Sequence, residues 1–282
     1  MSLAINCAAS SLAAMPSSSS CEGAQAVTPA RNASIDGLRG LLASYVFLAH
    51  YGGYWGHPLP GSELAVDAFF VMSAYVLTPG WRGDYAQFLL RRWLRLWPVY
   101  AFALVVAALI FSRSLEWTDF VFYPLTLSRT VGYLDSPVWS LRVEMWAMVV
   151  FPLFVWGGKK AERTLAVAVL FLVANCFVDR VGFGALFVLG SSLVRYRFNF
   201  APLNWAIPQW LGKISYSLYL THWIVLDGCA TFFPRFGGFF AFPLTFVVGY
   251  LVWAGIERHS IALSRKAGSI LGRAKIAIAQ CA

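Results

Sequence analysis

Long apolar runs alternate with short polar or basic connections along most of this chain. Eight runs are apolar enough to predict transmembrane helices, although several are shorter than the roughly 20 residues that a perpendicular span needs. We therefore predict an all-α, polytopic transmembrane bundle of about eight spans, within a range of 8–10. The runs are Leu38–Tyr54, Glu63–Thr78, Val99–Phe111, Val138–Trp156, Thr164–Val178, Val181–Val194, Ile214–Phe232 and Gly238–Ile256.

The segments outside the runs divide the chain into three parts. Residues 1–33 are rich in Ala and Ser and begin with 30 residues that include no Lys or Arg. A signal peptide needs a basic start, so we expect a disordered tail there. Residues 34–257 form the predicted membrane domain, in which 113–137 is an external segment. Residues 258–282 form a basic tail that we expect along the cytoplasmic membrane surface.

A basic amphipathic segment, YAQFLLRRWLRLW, leads into the third run at Pro98. Proline lacks the N–H of a helix interior, so we expect a turn or a kink at this position.

Basic residues fall mainly on one side of these spans. With the N-terminus inside, the inner connections hold 17 of the 22 Lys and Arg residues and the outer ones hold four. Cytoplasmic loops carry such an excess, so we predict a multi-pass protein of the plasma (inner) membrane with both termini in the cytoplasm. Only 12% of residues are charged, against about a quarter in soluble domains. The net charge of +9 is therefore topological, and we expect no nucleic-acid partner.

Two ionisable residues, Arg39 and His50, lie eleven positions apart in the first run. That spacing is close to three helical turns, so both side chains fall on one face, about 16 Å apart. Ionisable groups inside a span are costly and suggest function. We predict that His50, in the outer half of the membrane, is a general base, and that Arg39 binds phosphate groups at the cytoplasmic side. The alternatives are a structural histidine bonded to a carbonyl and a snorkelling arginine.

Further candidates lie on other predicted helices. Arg91 and Arg95 share a helix face and, with Arg39, would form a cationic vestibule for a phosphorylated cofactor, although a plain membrane anchor gives the same pattern. Asp67 and Glu144 are catalytic candidates that could orient His50 or bind an acceptor. The remaining candidates, for substrate binding, are Ser73, Trp139 and His222.

Two candidates have further consequences on the helices that carry them. Arg142 and Glu144 are two residues apart, so we expect them on different helix faces. His222 has a structural alternative as part of a polar seam between helices. The scattered Cys and His residues predict no metal site and no disulfide framework.

Five segments in order resemble the acyltransferase-3 family of integral-membrane acyltransferases. They are IDGLRGLLASYVFLAH, VDAFFVMSAYVL, FLLRRWLRLWPVY, VWSLRVEMW and LGKISYSLYLTHW. The family's arginine–histidine motif falls on Arg39 and His50, its paired-arginine motif on Arg91 and Arg95, and a third motif on 139–144. The resemblance implies transfer of an acyl group, usually acetyl, from cytoplasmic acyl-CoA to a hydroxyl of an extracytoplasmic, carbohydrate-like acceptor.

This chain departs from the family pattern at two points. The family has Ser-Gly where this chain has Ser73-Ala74, which would tighten a close helix approach, and family members commonly have ten spans. A transporter or flippase for a lipid-linked or acylated sugar would use the same buried charges and is the main alternative. A non-catalytic subunit is a third interpretation. Assembly with further copies of the chain is left open by the sequence.

Overall fold

A computed structural model describes residues 32–112, 137–178 and 180–281 of the chain. Residues 1–31 of the predicted tail 1–33 and residues 113–136 of the predicted external segment 113–137 lie outside the described residues. All regular structure in the described part is helical, which agrees with the predicted class. Its α-helices are α1 Ala33–Tyr54, α2 Ser62–Leu77, α3 Tyr85–Ile110, α4 Val138–Val149, α5 Phe151–Gly157, α6 Ala161–Ala174, α7 Gly184–Leu193, α8 Ala206–Phe232, α9 Gly237–Val252 and α10 Arg258–Cys281.

Local sequence signals set where the first long helices begin. Asn32 caps α1 by accepting a hydrogen bond from the backbone N–H of Ile35 at 3.3 Å, and Asp36 lies in the first turn, where the helix dipole favours a negative charge. Asp84 caps α3 in the same way, by accepting from the N–H of Gln87. Pro98 lies inside α3 and does not end it, so the basic segment and the third run form one helix. Neighbouring groups in a membrane bundle can compensate the hydrogen bond that proline removes.

The described part includes two helical segments that are long and apolar enough to cross a membrane. They are α3 and the continuous segment Gly237–Gly272, which joins α9 to α10 through a π-helical turn at Trp253–Glu257. Helices α4 and α5 would count as a third if they are one span bent by 70°. Pro152 stands at the start of α5, where its missing N–H allows the break. These helices are those of an integral membrane protein, and the count of eight spans stays a prediction.

Small residues let α1 and α8 pack with their backbones in contact. A Cβ atom added to Gly40 would meet the backbone of Leu211 and Gly212 on α8, and one added to Gly212 would meet the carbonyl of Asp36. Close approach of this kind is typical of small residues at helix interfaces in membranes. As a result, the N-terminal parts of α1 and α8 are held side by side.

Helix α7 packs closely against α2 at Ser73-Ala74, where the sequence departs from the family pattern. Ala74 is fully buried, and Gly190 of α7 lies against the Val71 carbonyl and the Cβ atom of Ala74. The small residue therefore stands on the opposing helix, where a side chain would collide with α2.

Two hydrophobic clusters flank the centre of the domain. One joins α3, α4 and α8 around Tyr100, Leu104 and Leu220, and the other is an aromatic cluster that includes Phe70 and Phe154. Members of both clusters line a cavity between them that also contains charged side chains. The cavity thus has walls fixed on both sides by packed side chains.

Candidate active site

The imidazole rings of His50 on α1 and His222 on α8 form a hydrogen-bonded pair. The Nδ1 atom of His50 lies 2.9 Å from Nε2 of His222, and the rings are 5° from parallel. His222 is fully buried, whereas His50 is half-buried and meets the ring of Trp223 edge-on. The close packing of α1 on α8 brings together two residues that are 172 positions apart.

The hydrogen bonds of this pair determine which nitrogen of His50 is available as a base. Nδ1 of His222 lies 2.6 Å from the carbonyl oxygen of Tyr219, which can only accept, so this nitrogen carries the proton. A fully buried imidazole is more stable neutral than charged, so Nε2 of His222 then accepts. His50 therefore donates from Nδ1, and its Nε2 atom keeps an unprotonated lone pair. The tautomers are assigned from these contacts.

A cavity of about 100 Å³ lies among α1, α2, α3, α4 and α8. Its charged wall residues are Arg39, Arg92, Arg95 and Glu144. Arg92 forms an ion pair with Glu144, and Ser73 donates a hydrogen bond to the same carboxylate at 2.6 Å. The cavity therefore brings together three arginines and one acid in an otherwise apolar surrounding.

Arg92, and not the predicted Arg91, lines the cavity together with Arg39 and Arg95. Arg92 is buried, 8% exposed, and its Nε atom has no hydrogen-bond partner among the described residues. Arg91 is exposed and packs against α10, where Ser264 donates to its backbone carbonyl at 2.7 Å. The adjacent arginines in the sequence were the signal, but the rotation of α3 decides which of them enters the cavity.

The cavity and the histidine pair are neighbours along the axis of α8. Tyr219 lines the cavity, and its backbone carbonyl binds His222, three residues and about 4.5 Å farther along the axis. His50 itself is not part of the cavity wall. On α1, Arg39 lines the cavity and forms an ion pair with Asp36 at 4.0 Å. The predicted Arg39–His50 face thus runs from the cavity to the histidine pair.

A buried carboxylate that the sequence reasoning missed stands near the cavity. Glu257, 3% exposed at the end of the π-helical turn, accepts hydrogen bonds from the backbone N–H and the hydroxyl of Ser217, at 3.2 and 2.6 Å. It also interacts electrostatically with Arg39 and Arg95. The sequence signal was an acid directly after an apolar run, where it was assigned to the domain boundary.

The structure gives His50 a different hydrogen-bond partner from the two acids that the sequence predicts. His222, and not Asp67 or Glu144, is the hydrogen-bond partner of His50 within the described ranges. Asp67 is half-buried on α2. Trp139 packs against Phe183 in the aromatic cluster.

Arg142 and Glu144 lie on different faces of α4, as their spacing predicts. Glu144 lines the cavity that holds the three arginines, whereas Arg142 lines a second cavity.

Comparison with known proteins adds the family. A family model described as an acyltransferase domain matches residues 32–180, more than half of the chain. The chain belongs to the acyltransferase-3 family. The match includes Arg39, His50, Arg92 and Glu144, so most of the site lies within it.

Several curated proteins resemble this acyltransferase. Protein 2 in the picA locus of Rhizobium radiobacter is 29% identical over 53% of this chain and 93% of its own. The peptidoglycan O-acetyltransferase OatA of Listeria monocytogenes is 31% identical over 59% of this chain, which spans only 31% of OatA. BcsY of Komagataeibacter xylinus is 24% identical over 84% of this chain and 85% of its own. No solved structure matches the chain. The protein is therefore a membrane-bound transferase of the O-acyltransferase type.

Proposed function

We propose that this acyltransferase moves an acetyl group from cytoplasmic acyl-CoA to a hydroxyl of a carbohydrate-like acceptor on the outer side of the plasma (inner) membrane. The observation that carries the proposal is the hydrogen bond between His50 and His222, because it leaves Nε2 of His50 as an oriented base. The predicted topology puts this atom in the outer half of the membrane.

The donor would approach through the arginine-lined cavity. At about 100 Å³ it is smaller than the roughly 300–1,000 Å³ of sites that enclose drug-sized ligands, so it suits the narrow pantetheine arm and not the nucleotide. In the predicted topology the start of α3 faces the cytoplasm. Arg39 and Arg95 would then attract the donor phosphates, and the exposed Arg91 would lie one helical turn nearer the cytoplasm than Arg95.

The chemistry would need one proton acceptor and two bond changes. Nε2 of His50 takes the proton of the acceptor hydroxyl as its oxygen attacks the thioester carbonyl. The carbon–sulfur bond then breaks, and the departing thiolate of CoA takes the proton back from the imidazolium. Throughout the reaction, Nε2 of His222 would accept the hydrogen bond from the Nδ1–H group of His50, which favours the positively charged form of the His50 ring. In an alternative order, Nε2 attacks the thioester first and carries the acyl group to the acceptor.

The acceptor class rests on a relative. OatA is named as a peptidoglycan O-acetyltransferase, which supports a sugar hydroxyl of a surface polymer as the acceptor here. The transporter alternative predicts sugar movement without acyl-CoA, so the same purified protein can be tested for both.

The direct test replaces His50 with alanine. Detergent-purified protein is incubated with labelled acetyl-CoA and a soluble cell-wall glycan fragment, and free CoA thiol and labelled glycan are measured. We expect His50→Ala to abolish both products, because the base is lost, while expression and membrane insertion stay normal. His57→Ala is the matched control, since His57 is exposed in the connection after α1. Full activity of His50→Ala would refute the proposed role.

A further inference from the structure

A second cavity, of about 280 Å³, lies between α4, α5, α6 and α7. Its walls are mostly apolar and include Val143, Phe154, Phe171 and Phe187. Among the described residues it lies at an edge, because Trp146 and Val178 of its wall are each about two-fifths exposed. In a membrane protein such a face meets lipid, so the cavity can be reached from the bilayer.

Arginines from two different elements complete this cavity. Arg142 of α4 is only 8% exposed, and Arg180 directly precedes the turn that leads into α7. They are the charged side chains among the described residues that line the cavity. The guanidinium of Arg180 also stacks on the ring of Trp139 at 4.8 Å, which holds its position.

Basic groups beside an apolar cavity match the two parts of one class of molecule. Guanidinium groups are suited to phosphate, whereas the aromatic and aliphatic walls are suited to a hydrocarbon chain. Basic pockets between transmembrane helices bind the head groups of acidic lipids in this way. A free phosphate would use the arginines but leave the apolar volume without a function.

We propose that this cavity binds an anionic phospholipid, with its phosphate at Arg142 and Arg180 and part of one chain between α4 and α6. The site is separate from the arginine-lined cavity, because Arg142 and Glu144 lie on opposite faces of α4. A lipid bound there supports α4 from behind. It therefore stabilises the wall that carries Glu144 without taking part in acyl transfer.

The test measures lipid binding to the full chain by native mass spectrometry. Detergent-purified, delipidated protein is titrated with phosphatidylglycerol, with phosphatidylcholine of the same chains, and with inorganic phosphate. We expect phosphatidylglycerol to bind about tenfold more tightly than phosphatidylcholine, because the two guanidinium groups repel the choline cation, whereas the head group of phosphatidylglycerol carries only the negative charge. Arg142→Gln and Arg180→Gln should each reduce that preference. Val178→Trp should weaken binding of the lipid, since it places a large ring at an exposed part of the cavity wall.

Arg235→Gln is the matched control for charge. Arg235 is exposed in the connection between α8 and α9, and we expect its replacement to leave lipid binding unchanged. Equal binding of the two lipids, or a preference that survives both arginine substitutions, would overturn the proposal. So would loss of binding in the Arg235 control. Displacement of the lipid by inorganic phosphate at comparable concentration would identify a simple anion site and overturn the lipid assignment.

Discussion

Replacement of His222 tests the central contact of the proposed site. His222→Leu removes the acceptor for the Nδ1–H of His50 but keeps a buried apolar side chain of similar size. The lost bond is 2.9 Å long in the structure. Its acceptor would face a developing imidazolium, and hydrogen bonds to charged groups contribute about 1.5–3 kcal/mol. Since each 1.4 kcal/mol is a factor of ten in rate, we expect kcat to fall about 10- to 100-fold.

The steady-state parameters distinguish the roles that His222 could have. His222 is fully buried and does not line the cavity, so KM for acetyl-CoA should change little in His222→Leu. His222→Gln, whose amide oxygen can accept the same bond, should recover part of kcat. Thr221→Val is the control, because Thr221 is also buried and loses only a hydrogen bond within α8.

Two results would refute this reasoning. Unchanged kcat in a folded His222→Leu protein would show that the contact does not orient the base. A raised KM with unchanged kcat would instead support the substrate-binding role predicted from the sequence. An independent readout is solid-state NMR of histidine labelled with ¹⁵N, which should show His50 protonated at Nδ1 and not at Nε2.

Two further substitutions test the cavity and the helix packing. Arg92→Gln should lower the free energy of unfolding by about 3 kcal/mol, because it removes the positive charge that pairs with the Glu144 carboxylate, whereas Arg91→Gln should change it by less than about 0.5 kcal/mol. Chemical denaturation of both proteins measures this, and equal effects would contradict the geometry. Gly40→Ala should lower the free energy of unfolding by about 1–3 kcal/mol, since its Cβ would enter the backbone of α8. Gly53→Ala is the control, because a Cβ atom there meets nothing within 4 Å. Thermal unfolding compares the two proteins, and equal melting temperatures would argue against the close approach.

Local periodicity was sufficient for several features of this protein. The helical class, the shared face of Arg39 and His50 and the opposite faces of Arg142 and Glu144 all follow from spacing along one helix. Such spacing is a property of the α-helix itself, so it needs no knowledge of neighbouring helices. The family followed from the resemblance of five segments in order.

Tertiary structure decided which groups meet. The sequence proposed Asp67 or Glu144 as partners of His50, yet His222 holds that position because small residues bring α1 and α8 together. Likewise, the sequence pattern favoured Arg91, but the packing of α3 against its neighbours rotates Arg92 into the cavity. A helix can turn about its axis without changing its sequence pattern. Only the shapes of the surrounding helices fix that rotation, and with it the membership of the site.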